Sequence, residues 1–320
     1  MSVREAAVVQ SMSKRVTEDR LSPIRESDHG GDGSGIKRFV AITPARDEQG
    51  LLPQLIASMV AQTIRPQRWI IIDDGSADST GDIIDRAAEN HSWIEPRHQP
   101  RSGVRAPGGE SVIMRFLPRE TWQDCDAILR LDADLSFKPQ FAARLLAEFD
   151  LDERLGIGGP TLWEPTGERW QEVLAPSFHT RGAAKMYSRA CFEAIGGLEA
   201  GLGWDTIDEV RALMLGFSTR SFRHIIAYHH RPQGAASGCW GSRRAAGRAA
   251  YNIGYSPLFL LARALRLAVG WPPLVGGVAL VTGYAESSLK RSPRRISPAQ
   301  IEFVRRQQLR RLLMMESVWR

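Results

Sequence analysis

The sequence has little cysteine. Cys125, Cys191 and Cys239 are the only three in 320 residues, they lie far apart, and none belongs to a CxxC pair. That argues against a disulfide framework or a cysteine-based zinc site and fits a reducing compartment. Residues 1–35 contain no apolar core of the kind a signal peptide carries. They are polar, end in HGGDGSG, and are expected to form a disordered leader. No apolar run reaches the ~20 residues that a spanning helix requires. No GxGxxG follows the first predicted strand, which disfavours a dinucleotide oxidoreductase. A nucleotidyltransferase should carry a glycine-rich, lysine-bearing phosphate loop near its N-terminus, and TPARDEQG does not supply one. No nucleic-acid recognition motif appears, and no nucleic acid is expected as a partner. The net charge of +6 suits anionic substrates or anionic lipids without choosing between them.

What is present alternates between two periods. Ile36 to Thr43 reads as a first strand. Gln49 to Gln62 has helical apolar spacing at Leu52, Leu55, Ile56 and Met59. Trp69 to Ile72 is short and wholly apolar, as in the middle of a parallel sheet. The stretch STGD, Ser79 to Asp82, resembles a capping box opening a helix over 80–90. DAILRLDAD is a further strand, and Lys138 to Phe149 a further helix. This alternation predicts the α/β class with a mostly parallel sheet. Residues 151–235 are mixed, with glycine-rich turns.

In such sheets ligands gather beyond the carboxyl ends of the strands, and two acidic clusters sit there. Asp132 and Asp134 are two apart, so on an extended strand end both side chains face the same way. Two like charges so placed repel unless a cation lies between them. A hard divalent ion, Mg²⁺ or Mn²⁺, binds through one or two carboxylates together with substrate phosphates. The alternative is a solvated turn with two incidental aspartates. Asp73 and Asp74 end the second strand. They are suited to accept hydrogen bonds from a base N–H or ribose hydroxyls, or else to form an Asx turn before Gly75.

The segment ITPARDEQGLLPQLIASMVAQTIRPQRWIIIDDGSADST, followed by RLDADLSF, resembles the catalytic domain of glycosyltransferase family 2. The resemblance covers roughly residues 37–235. It implies a nucleotide-binding, Rossmann-like sheet of the glycosyltransferase A fold and sugar transfer from a nucleoside diphosphate sugar with inversion. It also implies that Thr43, Pro44, Ala45, Arg46, Glu48, Asp73 and Asp74 hold the nucleotide, and that Asp132 and Asp134 meet a divalent cation and the donor diphosphate. The family carries its base at a helix start, with Arg and Gly at fixed offsets. In GWDTIDEVRALMLG, Asp205 fits with Arg211 and Gly216, and Trp204 stands where the family has Glu. Asp208 and Glu209 are the rivals as base. In AYHHRPQG a histidine is expected to complete the metal shell, with His229 first and His230 as the rival. PRSGVRAPGGES and HTRGAAKMYSR resemble basic segments lining the family's cleft. Arg101, Arg105, Arg181 and Lys185 would there neutralise diphosphate, or else belong to solvated loops. His98 and His179 fall in no recognisable constellation.

The expected organisation is a leader over 1–35, a catalytic domain over 36–240 and a helical C-terminal region over 241–320. In that last region SPLFLLARALRLAVG and PPLVGGVALVTGYAESSLK are apolar with Arg or Lys at their edges. Such faces suit helices lying in an anionic membrane surface, although ordinary packing on the catalytic core is the alternative. The expected function is an inverting glycosyltransferase of cell-surface polysaccharide or glycolipid synthesis. It would use a glycan or lipid-linked acceptor and lie in the cytoplasm, peripheral to the inner face of the membrane. A non-catalytic nucleotide-sugar-binding or membrane scaffold module is the runner-up.

Overall fold

The computed structural model describes residues 38–101, 110–232, 238–269 and 273–319. The expected leader, and Arg105 with its loop, lie outside the described residues. The strands are β1 (Phe39–Ala45), β2 (Arg68–Asp73), β3 (Ile94–His98), β4 (Ala127–Leu131), β5 (Leu135–Phe137), β6 (Leu155–Thr166), β7 (Arg169–Glu172), β8 (Ala184–Ser188) and β9 (Ser218–His229). They form one sheet in the order β3-β2-β1-β4-β8-β6-β9-β5, with β7 paired to the end of β6.

The first four strands of that order are parallel, as the apolar runs predict. Beyond β4 the sheet is mixed. β8 runs antiparallel to β4 with Ala184 opposite Leu131, and β5 runs antiparallel to β9 with Leu135 opposite His229. These two registers matter for the site. They bring the start of β8 and the end of β9 to the same edge as the carboxyl end of β4.

Side chains alternate across the sheet with period two. Phe39 and Ala41 join a core on one face with α1 (Leu52–Val60), α2 (Thr80–Asn90) and α5 (Phe141–Leu151). Val40 and Ile42 join a core on the other face with α3 (Glu110–Phe116), α4 (Arg119–Trp122), α6 (Arg189–Ala194) and the start of α7 (Trp204–Met214). At the start of α2 the expected capping box is absent, because the Ser79 side chain makes no capping bond. Asp78 does that work instead, accepting from the Thr80 backbone N–H at 3.0 Å.

The C-terminal region is helical as expected, with α8 (Gly238–Asn252), α9 (Pro257–Ala268), α10 (Val275–Leu289) and α11 (Pro298–Leu312). A third apolar cluster ties these helices to Ile207 and Val210 of α7 through Tyr251, Leu260, Leu280, Tyr284 and Val304. Residues 35–320 form one compact unit, so the expected boundary near 240 falls inside it. Helices α8 and α10 meet backbone to backbone. A Cβ added at Gly247 would stand 2.0 Å from the Leu280 carbonyl oxygen, and one at Gly283 would stand 1.9 Å from that of Arg244. Among the described residues no helix is long and apolar enough to cross a membrane.

Candidate active site

Because β1, β2 and β4 are parallel, their carboxyl ends deliver their acidic residues to one edge. Asp132 and Asp134 follow β4. The Asp134 carbonyl accepts the His230 N–H at 2.9 Å, which locks the end of β9 beside it. Ligand atoms of Asp132, Asp134 and His229 all lie within 4.8 Å of one another. His229 Nε2 is 3.3 Å from Asp134 Oδ1, and His229 Nδ1 is 3.0 Å from Glu164 Oε1 on β6. Glu164 can only accept there. It therefore fixes the imidazole with Nδ1–H outward and Nε2 toward the aspartates, the arrangement common behind metal-bound histidine. His230 turns the other way, to Ser136 Oγ at 2.7 Å and edge-on to Trp170.

Two carboxylates and one imidazole suit a divalent cation such as Mn²⁺ or Mg²⁺. The buried Asp134 Oδ1 atom has only the His229 Nε2 nearby, at 3.3 Å and without good hydrogen-bond geometry, a position that a cation would satisfy. The electrostatics carry the strain of the acidic pair. Burial raises the Asp132 pKa, and Asp134 adds to the rise, against Arg130. Burial also works against the charge on Asp134, but His229 and Arg231 outweigh it and hold its carboxyl below the usual range. Burial opposes the His229 imidazolium, while Asp134 and Glu164 lift its pKa to about 9.

Around the β1 and β2 ends, two loops are zipped together. Asp47 accepts the Ala77 N–H at 2.7 Å while its own N–H donates to Ser76 Oγ at 2.9 Å. Gln49 N–H donates to Asp78 at 3.1 Å, and Glu48 N–H to Thr80 Oγ1 at 2.7 Å. Asp73 closes the turn after β2, accepting the Ser76 N–H three residues on at 2.9 Å, with its second oxygen 3.4 Å from His98. Gly75 follows at φ 67°, and a Cβ there would lie 2.3 Å from the Arg101 Cα, so the residue must be glycine. Asp74 faces Arg46 at 3.6 Å and accepts from the Gln99 amide.

The residues expected around the nucleotide have these partners. Thr43 is fully buried and its hydroxyl accepts from the Trp69 indole N–H at 3.0 Å, so its side chain points into the core. Pro44 and Ala45 contribute strand backbone, and the Ala45 carbonyl accepts the Asp74 N–H at 2.8 Å. Glu48 holds Arg231 in a two-bond fork at 2.8 and 2.7 Å, and Arg231 stands 4.0 Å from Asp134. The fork leaves Glu48 as the support of a cation beside the acidic pair. Arg101 pairs with Asp47 at 3.2 Å, and Arg181 opens the half-buried turn before β8.

The helix α7 begins on the same edge. Arg130, almost wholly buried on β4, donates to Asp132 at 2.8 Å and to the Gly182 carbonyl. Its guanidinium lies 5.0 Å from the centroid of the Trp204 ring. A Cβ on Gly182 would strike Trp204 at 2.7 Å and the Asp205 Cβ at 3.3 Å. Asp205 thus sits one bare glycine away from the residues that order Asp132. Its side chain is 24% exposed.

Asp208 and Glu209, the rivals as base, are both buried. Asp208 is buried against Lys185 Nζ at 2.9 and 3.1 Å and against the Tyr187 hydroxyl. Glu209 is fully buried, accepting the Thr180 N–H at 2.6 Å and facing His179 Nδ1 at 2.8 Å. Lys185, expected near diphosphate, is equally buried. Burial opposes its charge, yet Asp208 and Glu209 raise its pKa. These residues position α7. Sequence reasoning missed Arg130, Glu164, Arg231 and His179 as members of this edge. Arg231 adjoins the HH pair that was singled out, but Glu164 is brought in only by the β6–β9 pairing.

Residues 40–108 match the family model described as glycosyl transferase family 2, which bears out the resemblance in the sequence. An undecaprenyl-phosphate 4-deoxy-4-formamido-L-arabinose transferase from Serratia proteamaculans is 32% identical over 120 residues, covering 35% of this chain and 33% of that protein. The chain thus matches about a third of the length of that curated relative. Among solved structures, a mannosyltransferase from Pyrobaculum calidifontis in complex with GDP-Man and Mn²⁺ is similar with a TM-score of 0.53 at 15% identity, covering 93% of this chain and 85% of that one. Residues 1–349 of TarS from S. aureus, in complex with UDP-GlcNAc, give 0.53 at 14% identity, covering 85% and 78%. At such identities the likeness concerns the fold, which is the glycosyltransferase A fold.

Proposed function

We propose that this chain is an inverting glycosyltransferase that moves a sugar from a nucleoside diphosphate sugar to an acceptor hydroxyl in the synthesis of a cell-surface glycolipid or polysaccharide. The observation that carries this reading is the convergence of Asp132, Asp134 and His229 at the end of β4, with Asp205 set across Gly182 from them. The two carboxylates and the imidazole would hold Mn²⁺ or Mg²⁺. When bound, the ion supplies charge against the donor diphosphate and its departing form. Asp74, Arg46 and Gln99 line the nucleotide end, while Arg105 and Arg181 serve the diphosphate. Asp205 takes the acceptor proton as the hydroxyl oxygen attacks the anomeric carbon. The C–O bond to diphosphate breaks in the same displacement, and one base on one face gives inversion.

A lipid-linked acceptor is favoured by two independent observations. The curated relative is named for undecaprenyl phosphate. Leu258, Leu261 and Leu265 of α9 form one exposed stripe, continued by Val269 at its C-terminal cap, with Leu274 and Val278 exposed beyond it. Arg266 stands on the same exposed side, and Lys290 and Arg291 follow α10. An apolar stripe edged by cations fits the anionic cytoplasmic leaflet. The function is tested by screening nucleoside diphosphate sugars for acceptor-dependent release of nucleotide, with the anomeric configuration of the product read by NMR. A retained configuration, or no release from any donor, rejects the reading.

A further inference from the structure

Away from Asp132, Asp134 and His229, the molecule holds a titratable cluster around His179 that the reaction above does not use. His179 lies at the turn before β8, where its Nδ1 is 2.8 Å from Glu209 Oε2. The other oxygen of Glu209 is occupied by the Thr180 N–H at 2.6 Å and Lys185 Nζ at 3.1 Å, both donors. Glu209 is therefore fixed as an acceptor toward His179, and the imidazole must present Nδ1–H to it. That leaves Nε2 on the far side of the ring, 4.0 Å from Asp205 Oδ2. The charged groups packed around the ring are Glu209 and Asp205 of α7 and, behind Glu209, Lys185 of β8 with its partner Asp208.

We infer that Glu209 and His179 form a fixed dyad that takes over the proton removed by Asp205. The inference rests on the glycosyltransferase reading for its chemistry, but the dyad itself stands on geometry. Asp205 accepts the proton of the acceptor hydroxyl, and the oxygen's electron pair forms the new bond to the anomeric carbon. The proton then passes from the Asp205 carboxyl to the lone pair of His179 Nε2. The resulting imidazolium keeps its Nδ1–H bond to the Glu209 carboxylate and gives its proton to water when product leaves. The Nε2 lone pair already faces the Asp205 carboxyl, so the transfer needs no turn of the ring. The 4.0 Å gap is of the kind that tightens when substrate binds. Asp205 remains the catalytic residue, while His179 and Glu209 act through it.

The burial of Glu209 has a further consequence. In Glu209→Gln the amide oxygen is held by Thr180 and Lys185, so the amide NH₂ faces His179 Nδ1. The ring must then bare Nδ1 and carry its proton on Nε2, which points a donor at Asp205 and closes the relay.

The experiment combines ring-nitrogen NMR of ¹⁵N-histidine-labelled full-length protein with turnover. At pH 8 the wild type is expected to show His179 protonated on Nδ1 and bare on Nε2, with the pattern reversed in Glu209→Gln. His179→Gln, which keeps a donor for Glu209 but cannot carry a proton, is expected to fold and bind donor normally and to lose about 10²-fold in kcat. A wild-type His179 bare on Nδ1 overturns the dyad, whether or not turnover is found. A His179→Gln enzyme within twofold of the wild-type kcat overturns the relay. Failure of the functional reading is a separate result, in which no donor is turned over by the wild type while the nitrogen assignment still decides the dyad.

Discussion

Arg130 donates to Asp132 at 2.8 Å from a side chain that solvent scarcely reaches. The bond couples the acidic pair to α7, because the same guanidinium holds the Gly182 carbonyl and lies against Trp204. Trp204 stands where a glutamate was expected, and an indole face is a suitable lid for a buried cation. Removing the cation should leave the Asp132 and Asp134 charges opposed by less. We expect Arg130→Met to lose about 3 kcal/mol of stability, and Arg130→Lys about half as much. Added Mn²⁺ should raise the melting temperature of Arg130→Met more than that of the wild type, because the metal replaces the missing positive charge. Calorimetric scans with and without Mn²⁺ check this, and equal shifts in both proteins would contradict it.

His98 gives a prediction about pH. Partial burial works against its imidazolium, but hydrogen bonds to Asp85 at 2.8 Å and then to Asp73 win, and the pKa rises above 6.5. A raised folded-state pKa means that the stabilisation is complete below about 6.5 and is lost as pH climbs through the folded value. Asp85→Asn should move the His98 titration, followed by its Hε1 resonance, back toward lower pH and flatten that part of the stability profile. An unmoved titration would show that Asp85 is not its partner.

The junction of α8 and α10 predicts an intolerance to small side chains. At Gly247 and Gly283 a single methyl meets backbone carbonyl oxygen rather than a side chain that can move aside. Gly283→Ala must push the helices apart, and the loss should be about 1–3 kcal/mol, the range for overpacking. Hydrogen exchange in α8 to α10 should rise in this variant before it rises in β1, β2 and β4. Uniform behaviour across the molecule would mean that the helices are not held by this contact.

Much of the first half of the fold was legible from sequence. The wholly apolar run of β2 and the helical spacing of α1 are local signals, and the carboxylates at the ends of β2 and β4 follow from them. The grouping of Asp132, Asp134 and His229 was within reach too, because Asp132 and Asp134 stand two apart at a strand end and the family resemblance pointed to His229. The supports of these residues were not. Glu164 reaches His229 only through pairing of β6 with β9, and Arg231 reaches Glu48 across 183 positions. The choice among Asp205, Asp208 and Glu209 was also beyond periodicity. All three lie on one helix within five positions, and burial separates them: Lys185 and Tyr187 draw Asp208 inward, whereas Asp205 stays at the rim. The direction of the Thr43 side chain was not legible, because a strand end exposes alternate side chains and this one faces Trp69.

The stripe on α9 should decide membrane attachment. Leu261→Glu with Leu265→Glu places two charges on the exposed face without touching the buried Leu260 and Ala264. In flotation with anionic vesicles, full-length protein should rise with the lipid and the double variant should remain below. Equal recovery of the two with neutral and anionic vesicles would contradict a role for this face.

The most direct measurement is release of nucleoside diphosphate from a panel of sugar donors in the presence of Mn²⁺ and a lipid-linked acceptor extract, compared among wild type, Asp134→Ala and Asp205→Asn. The wild type should turn over one donor and stop in excess chelator, and Asp134→Ala should lose both metal-dependent donor binding and turnover. Asp205→Asn should bind donor normally while kcat falls about 10²–10⁴-fold. Turnover that survives both chelator and Asp134→Ala, or an Asp205→Asn enzyme as fast as the wild type, would contradict the assignment of this edge as a metal-assisted glycosyl transfer site.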